Sequence, residues 1–143
     1  MSGTEIPFEG VKALDHTADV GLEVRAGSLV ELLRRSAAGM THLILEGSPP
    51  DGEEECVVSV VGADPPQLLR NWLRELLYLH EAEGFAYSAA EFTTLDAGVL
   101  EAVVRGGADP SEPAREIKGV TLHGLVTERT PEGEWYARVI FDV

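Results

Sequence analysis

The chain closes on Val139-Ile140-Phe141-Asp142-Val143, four apolar residues with one carboxylate among them. Burying a side chain of this size stabilises a fold by about 1.5–3 kcal/mol, so a segment this apolar is costly to leave in water. Terminal residues fray unless something ties them down. The expectation is therefore a strand buried within a sheet, around which the remaining elements must be arranged. At its end the Asp142 side chain, the Val143 main chain and the α-carboxylate of Val143 come close together. Oxygen donors clustered in this way call for a cation or a basic partner.

The elements follow in order. Val11-Lys12-Ala13-Leu14 reads as a strand after a short polar lead, and Val20 to Arg25 alternates as a second strand. Ser28 and Glu31 form a capping box, and Leu29, Leu32, Leu33, Ala37, Met40 and Leu43 recur at helical spacing, predicting a helix over 29–43. The breaker cluster Gly47 to Gly52 precedes a valine-rich strand from Cys56 to Val61. Asp64-Pro65-Pro66-Gln67 is the clearest helix start, with Asp64 as N-cap and Pro65 at the first helical position. Leu69, Trp72, Leu73, Leu76, Leu77 and His80 share one face of that helix, and Gly84 ends it.

Beyond Gly84 the period shortens to that of strands: Phe85 to Tyr87, Glu91 to Leu95 and Val99 to Arg105, with Asp96-Ala97-Gly98 as a hairpin turn. Asp109 to Glu116 reads as an exposed loop. Ile117 to Thr127 and Glu134 to Val143 read as two closing strands. This order predicts one α+β domain over residues 1–143, in two layers, with two helices against one face of a mostly antiparallel or mixed β-sheet.

Charge narrows the partners. Twenty-five acids against 11 bases give a net charge of −14. Nucleic-acid binding draws most of its affinity from phosphate neutralisation by Lys and Arg, so strong direct binding to RNA or DNA is not expected and a basic protein is the better partner. No stretch reaches the roughly 20 apolar residues of a membrane span and no signal peptide opens the chain, so a cytoplasmic, non-membrane protein is expected. The lone Cys56 lies in an apolar run and is expected to pack as a small hydrophobe.

Asp15-His16-Thr17-Ala18-Asp19, between the first two strands, gathers two carboxylates and an imidazole. That composition suits a metal site or acid–base work, yet such residues also cap turns, so the loop gains meaning only if it meets the C-terminal strand. Asp19, Asp142 and Val143 together would make a hard, oxygen-rich pocket of the kind that takes Ca²⁺ or Mg²⁺; zinc would want more Cys or His. Lys118 and His123, at odd spacing on the expected strand, would face opposite sides of the sheet. No Gly-rich phosphate loop precedes a helix and no Gly-x-Ser-x-Gly elbow occurs.

Asp15-His16-Thr17-Ala18-Asp19-Val20-Gly21, Trp72-Leu73-Arg74-Glu75-Leu76-Leu77, Lys118-Gly119-Val120-Thr121-Leu122-His123 and the terminal Val139 to Val143 together resemble the archease family over nearly the whole chain. The resemblance implies a small acidic cofactor protein, not an enzyme, that activates the RtcB-type tRNA-splicing RNA ligase by promoting its guanylylation and multiple turnover. It implies metal ligation, of a calcium type, by Asp19, Asp142 and Val143, with Asp15, His16, Lys118 and His123 in supporting or partner-contact roles. Gly119 and Leu122 depart from the Ala and Tyr usual in the family's strand motif. The rival readings are a chaperone or modulator of a tRNA methyltransferase and a stand-alone metal-dependent hydrolase using Asp19 and Asp142.

Overall fold

The computed structural model describes residues 3–5, 8–15, 19–47, 50–108 and 113–143, with residues 3–5, Asp15 and Asp19 described through their backbone. Its elements are β1 (Gly3–Glu5), β2 (Val11–Asp15), β3 (Asp19–Ala26), α1 (Leu29–Leu45), β4 (Glu54–Val61), α2 (Pro65–Glu83), β5 (Phe85–Asp96), β6 (Val99–Ala108), β7 (Gly119–Val120), β8 (Val126–Arg129) and β9 (Trp135–Asp142).

Both helices begin where their caps predict. The Ser28 hydroxyl accepts from the Glu31 N–H at 3.1 Å, and the Asp64 carboxylate accepts from the Gln67 N–H at 2.9 Å. The Gln67 side chain reaches back past the N-cap and accepts from the Ala63 N–H at 3.3 Å, tying the entering chain to the first turn. At its far end α2 stops on Gly84 in the left-handed region, with φ 67°. Helix α1 runs slightly past the predicted end and stops on Glu46, also left-handed, whose N–H returns to the His42 carbonyl at 2.7 Å.

The α+β class holds, with every strand pairing antiparallel. The strands divide between two sheets where a single one was expected. The larger runs β1-β2-β3-β9, with β7 and β8 both on the far side of β9; the smaller runs β4-β6-β5. Helix α1 packs on β2, β3 and β9 of the larger sheet and on β5 of the smaller, while α2 packs on β4 and β5 and also on β7 and β8. Each helix thus binds one sheet to the other. Trp72 lies at this junction: it is fully buried, its indole N–H donates to the Leu33 carbonyl at 3.0 Å, and its ring meets Tyr87 edge-on at 6.4 Å and Phe92 at 5.1 Å.

Three strand expectations change. The polar lead contains β1, an edge strand that pairs with β2 through its backbone and needs no apolar pattern. The two short segments after Gly84 are one strand, β5, which shifts register at Tyr87/Ala89 and again at Phe92/Thr94 without breaking. The single strand expected over 117–127 is two. Val120 faces Phe141 and Val126 faces Arg138, so more chain than strand lies between them, and residues 122–125 leave the ladder as a turn with Gly124 at φ 63°.

Candidate metal centre at the end of the central strand

Strand β9 is buried on one side by Ala137, Val139 and Phe141, all fully inaccessible. Period-two alternation then sets Tyr136, Arg138, Ile140 and Asp142 on the opposite face. Its neighbour β3 is registered so that Gly21 faces Ile140, Val20 faces Phe141 and Asp19 faces Asp142. Directly opposed positions on antiparallel strands share a sheet face with Cβ atoms about 4.5–5.5 Å apart. The two aspartate positions named from the sequence are therefore cross-strand partners at one end of the larger sheet.

The approach of these strands depends on Gly21. A Cβ there would stand 2.6 Å from the Val139 carbonyl oxygen and 2.8 Å from Ile140 Cδ1, both closer than packed atoms allow. Glycine leaves the space that Ile140 occupies. On the other side of β9, Gly119 faces Asp142, and the preceding Lys118 N–H donates to the Asp142 carbonyl at 2.7 Å. The Thr121 N–H and hydroxyl both donate to the Ile140 carbonyl, at 3.0 and 3.1 Å. Arg70 on α2 donates through Nε to the Val120 carbonyl at 2.9 Å, fixing β7 to the helix beneath it. The main chain at Asp142 is thus held from both flanks while its side chain stays exposed.

The exposed Asp142 side chain is a carboxylate, a donor type that suits hard cations such as Ca²⁺ and Mg²⁺. Carboxylates at directly opposed sheet positions repel when both are charged, and a cation between them would remove that repulsion. Among the described residues no group of three or more His, Cys, Asp or Glu side chains gathers as a metal cluster. Asp15 and Asp19 enter through their backbone, and His16 lies outside the described residues. Val143 follows β9, partly exposed at 36%. Lys118 and His123 are both exposed, and neither lies in a strand: Lys118 precedes β7 and His123 sits in the turn after it. The prediction that they take opposite faces of one strand is therefore replaced by two exposed loop positions flanking that short strand.

His42 is half-buried and meets the Phe8 ring edge-on at 5.9 Å, and His80 is half-buried on α2. Burial raises the Cys56 thiol above its ordinary value, and the Glu83 and Glu75 carboxylates raise it further, the opposite of an activated nucleophile. Gly21, Arg70 and Thr121 set the geometry around Asp142; sequence reasoning assigned none of them a role there, although Gly21 and Thr121 stand within the family motifs. Gly21 carried a usable signal, because a glycine inside an apolar strand marks a close backbone approach; the other two depend on contacts across the fold.

The family model described as "Archease protein family (MTH1598/TM1083)" matches residues 12–143. The chain is 32% identical over 146 residues to the protein archease of Methanopyrus kandleri, covering 96% of this chain and 100% of that one. To the protein archease of Archaeoglobus fulgidus it is 34% identical over 133 residues, covering 91% and 96%. The solution structure of Methanobacterium thermoautotrophicum protein 1598 superimposes with a TM-score of 0.75 at 28% identity, covering 95% of this chain and all of that one. A crystal structure from Thermotoga maritima, described as an archease and possible chaperone, shares the fold with a TM-score of 0.65 at 22% identity, covering 91% and 94%.

Proposed function

The chain belongs to the archease family, and on that footing we propose that it is an accessory protein, not itself an enzyme, that activates an RtcB-type RNA ligase in tRNA splicing and RNA repair. Its effect is to promote the ligase's guanylylation and multiple turnover. The observation that carries this reading is the register of Asp19 opposite Asp142 at the end of β9. Asp19, Asp142 and the Val143 oxygens hold a divalent cation, Ca²⁺ in the first instance with Mg²⁺ as the alternative. When bound, the cation supplies positive charge and open coordination positions at the tip of an otherwise acidic protein.

The protein's own residues do the rest. The Lys118 N–H and β3 keep the Asp142 main chain in place, so the carboxylate is presented with little freedom to lose on binding. Lys118 and His123 are exposed on the flanking loops, and on this reading they and Asp15 and His16 take supporting or partner-contact roles. A net charge of −14 speeds encounter with a basic partner and disfavours direct binding to RNA. No helix among the described residues is long and apolar enough to cross a membrane; the proposed site of action, taken from the family reading, is the cytoplasm.

The test combines purified RtcB-type ligase, GTP, Mn²⁺ and RNA ends, with and without this protein. Faster guanylylation and more ligations per ligase are expected. An unchanged rate and turnover at saturating protein would sink the proposal.

A further inference from the structure

The smaller sheet ends on β4, and two hydrogen bonds tell which way its backbone groups point. The Gly62 N–H, just after β4, donates to the Gly98 carbonyl at 2.9 Å, on the β6 side. The Val61 carbonyl points the other way, where the Asn71 side-chain amide donates to it at 2.7 Å. Backbone groups alternate in direction along an antiparallel strand. Glu55, Val57 and Ser59 therefore aim their N–H and C=O groups outward, along an edge that has no strand partner among the described residues. Such edges are templates for another strand unless they are blunted. Asn71 blunts this one at Val61 alone.

The surroundings of the edge are apolar and acidic. On the outer sheet face Val57, 74% exposed, faces Val103, and Val61, 65% exposed, faces Val99. On the helix side a groove of about 500 Å³ runs between β4 and α2, lined by Val61, Asn71, Arg74, Glu75 and Tyr78 among others. Tyr78 is 61% exposed there. Glu75 lines the groove, and its carboxylate and that of Glu83 both raise the Cys56 thiol on β4. Of the nearby bases, Arg74 lines the groove, and Arg105 is tied to Glu55 at 2.7 Å.

We infer that β4 and α2 form a strand-addition groove for an extended segment of a partner protein in which basic and apolar residues alternate. The incoming strand pairs with Glu55, Val57 and Ser59, so main-chain bonds give affinity and alternate side chains give specificity. Its apolar residues fall on the Val57–Val103 and Val61–Val99 stripe, and its basic residues fall on the helix side beside Tyr78, Glu75 and Glu83. A second copy of this chain is the poorer occupant. Each copy carries −14, and β4 (EECVVSVV) offers no base to the carboxylates. None of these residues belongs to the β9 end, so the inference stands or falls independently of the ligase reading.

The test uses the intact protein and two short acetylated peptides, one alternating Lys and Val, the other Glu and Val. Amide hydrogen exchange is followed residue by residue. The Lys/Val peptide should slow exchange at Glu55, Val57 and Ser59 by about tenfold or more, and the Glu/Val peptide should not. Ser59→Pro removes an outward N–H without touching the ladder to β6, so the variant should fold and lose the protection. Tyr78→Ala, which leaves the backbone alone, should weaken it several-fold. The inference is overturned by unchanged exchange at those three amides, by equal protection from the acidic peptide, by equal binding in both variants, or by sedimentation and exchange data showing the edge already covered by a second copy.

Discussion

Replacing Asp142 with Asn should change the protein in opposite directions with and without a divalent cation. Asp19 and Asp142 are directly opposed across β3 and β9. Like charges so placed destabilise a sheet, and cross-strand pairs of this kind are worth about 0.2–1 kcal/mol. In chelator and low salt, where the Debye length is long, Asp142→Asn should therefore be more stable than the parent by about 0.2–1 kcal/mol. At about 2–4 °C per kcal/mol for a chain of this size, the melting temperature should rise by up to roughly 4 °C. Saturating Ca²⁺ should reverse the order. A ligand at about 100 times its Kd adds roughly 2.7 kcal/mol to whichever form binds it, and the variant lacks a carboxylate that the proposed site requires. The assay is urea or thermal denaturation of both proteins in EDTA and in excess Ca²⁺. The reasoning is refuted if the variant is the less stable form in EDTA, or if Ca²⁺ stabilises both equally.

Further outcomes follow from the same geometry. Gly21→Ala should cost about 1–3 kcal/mol by overpacking, because the new methyl meets the Val139 carbonyl at 2.6 Å, and it should also weaken Ca²⁺ binding in a calorimetric titration by spreading β3 from β9. Asp64→Ala should cost about 1 kcal/mol in urea denaturation through loss of the α2 N-cap and leave Ca²⁺ affinity unchanged. Burial pushes the Tyr87 phenol well above its usual value, with the Arg34 guanidinium opposing this and Glu31 adding to it. The folded chain then keeps a proton that the unfolded chain releases near pH 10, so this contribution is whole below about pH 10 and is lost as pH rises through the folded value. Urea midpoints should fall on the alkaline side, and Tyr87→Phe should flatten that fall, leaving the part due to Tyr136, whose phenol is also raised by burial.

Local chemistry was the legible part of the fold. Ser28, Asp64, Pro65 and Gly84 fix the ends of the helices through bonds to residues a few positions away, and those signals survive folding unchanged. The number of sheets was not legible. Strands β4, β5 and β6 carry the same valine-rich or alternating patterns as the strands of the larger sheet, and pairing partners are chosen by contacts across the whole chain. The break between β7 and β8 was hidden for a related reason: residues 117–127 keep strand-like composition, and only the mismatch with β9 forces the turn. At the site, the residue types named Asp19 and Asp142, while the register that opposes them depends on Gly21 admitting Ile140. Two carboxylates far apart in sequence say nothing of distance until that close approach is known.

The proposed role requires this protein to speed an RtcB-type ligase through the Asp19 and Asp142 end of β9. The most direct measurement is the rate of ligase guanylylation, with GTP and Mn²⁺, in the presence of the parent protein and of Asp142→Asn, after both are shown to be folded. Acceleration by the parent is expected, with little or none by the variant. Equal acceleration by both, or none by either, would contradict it.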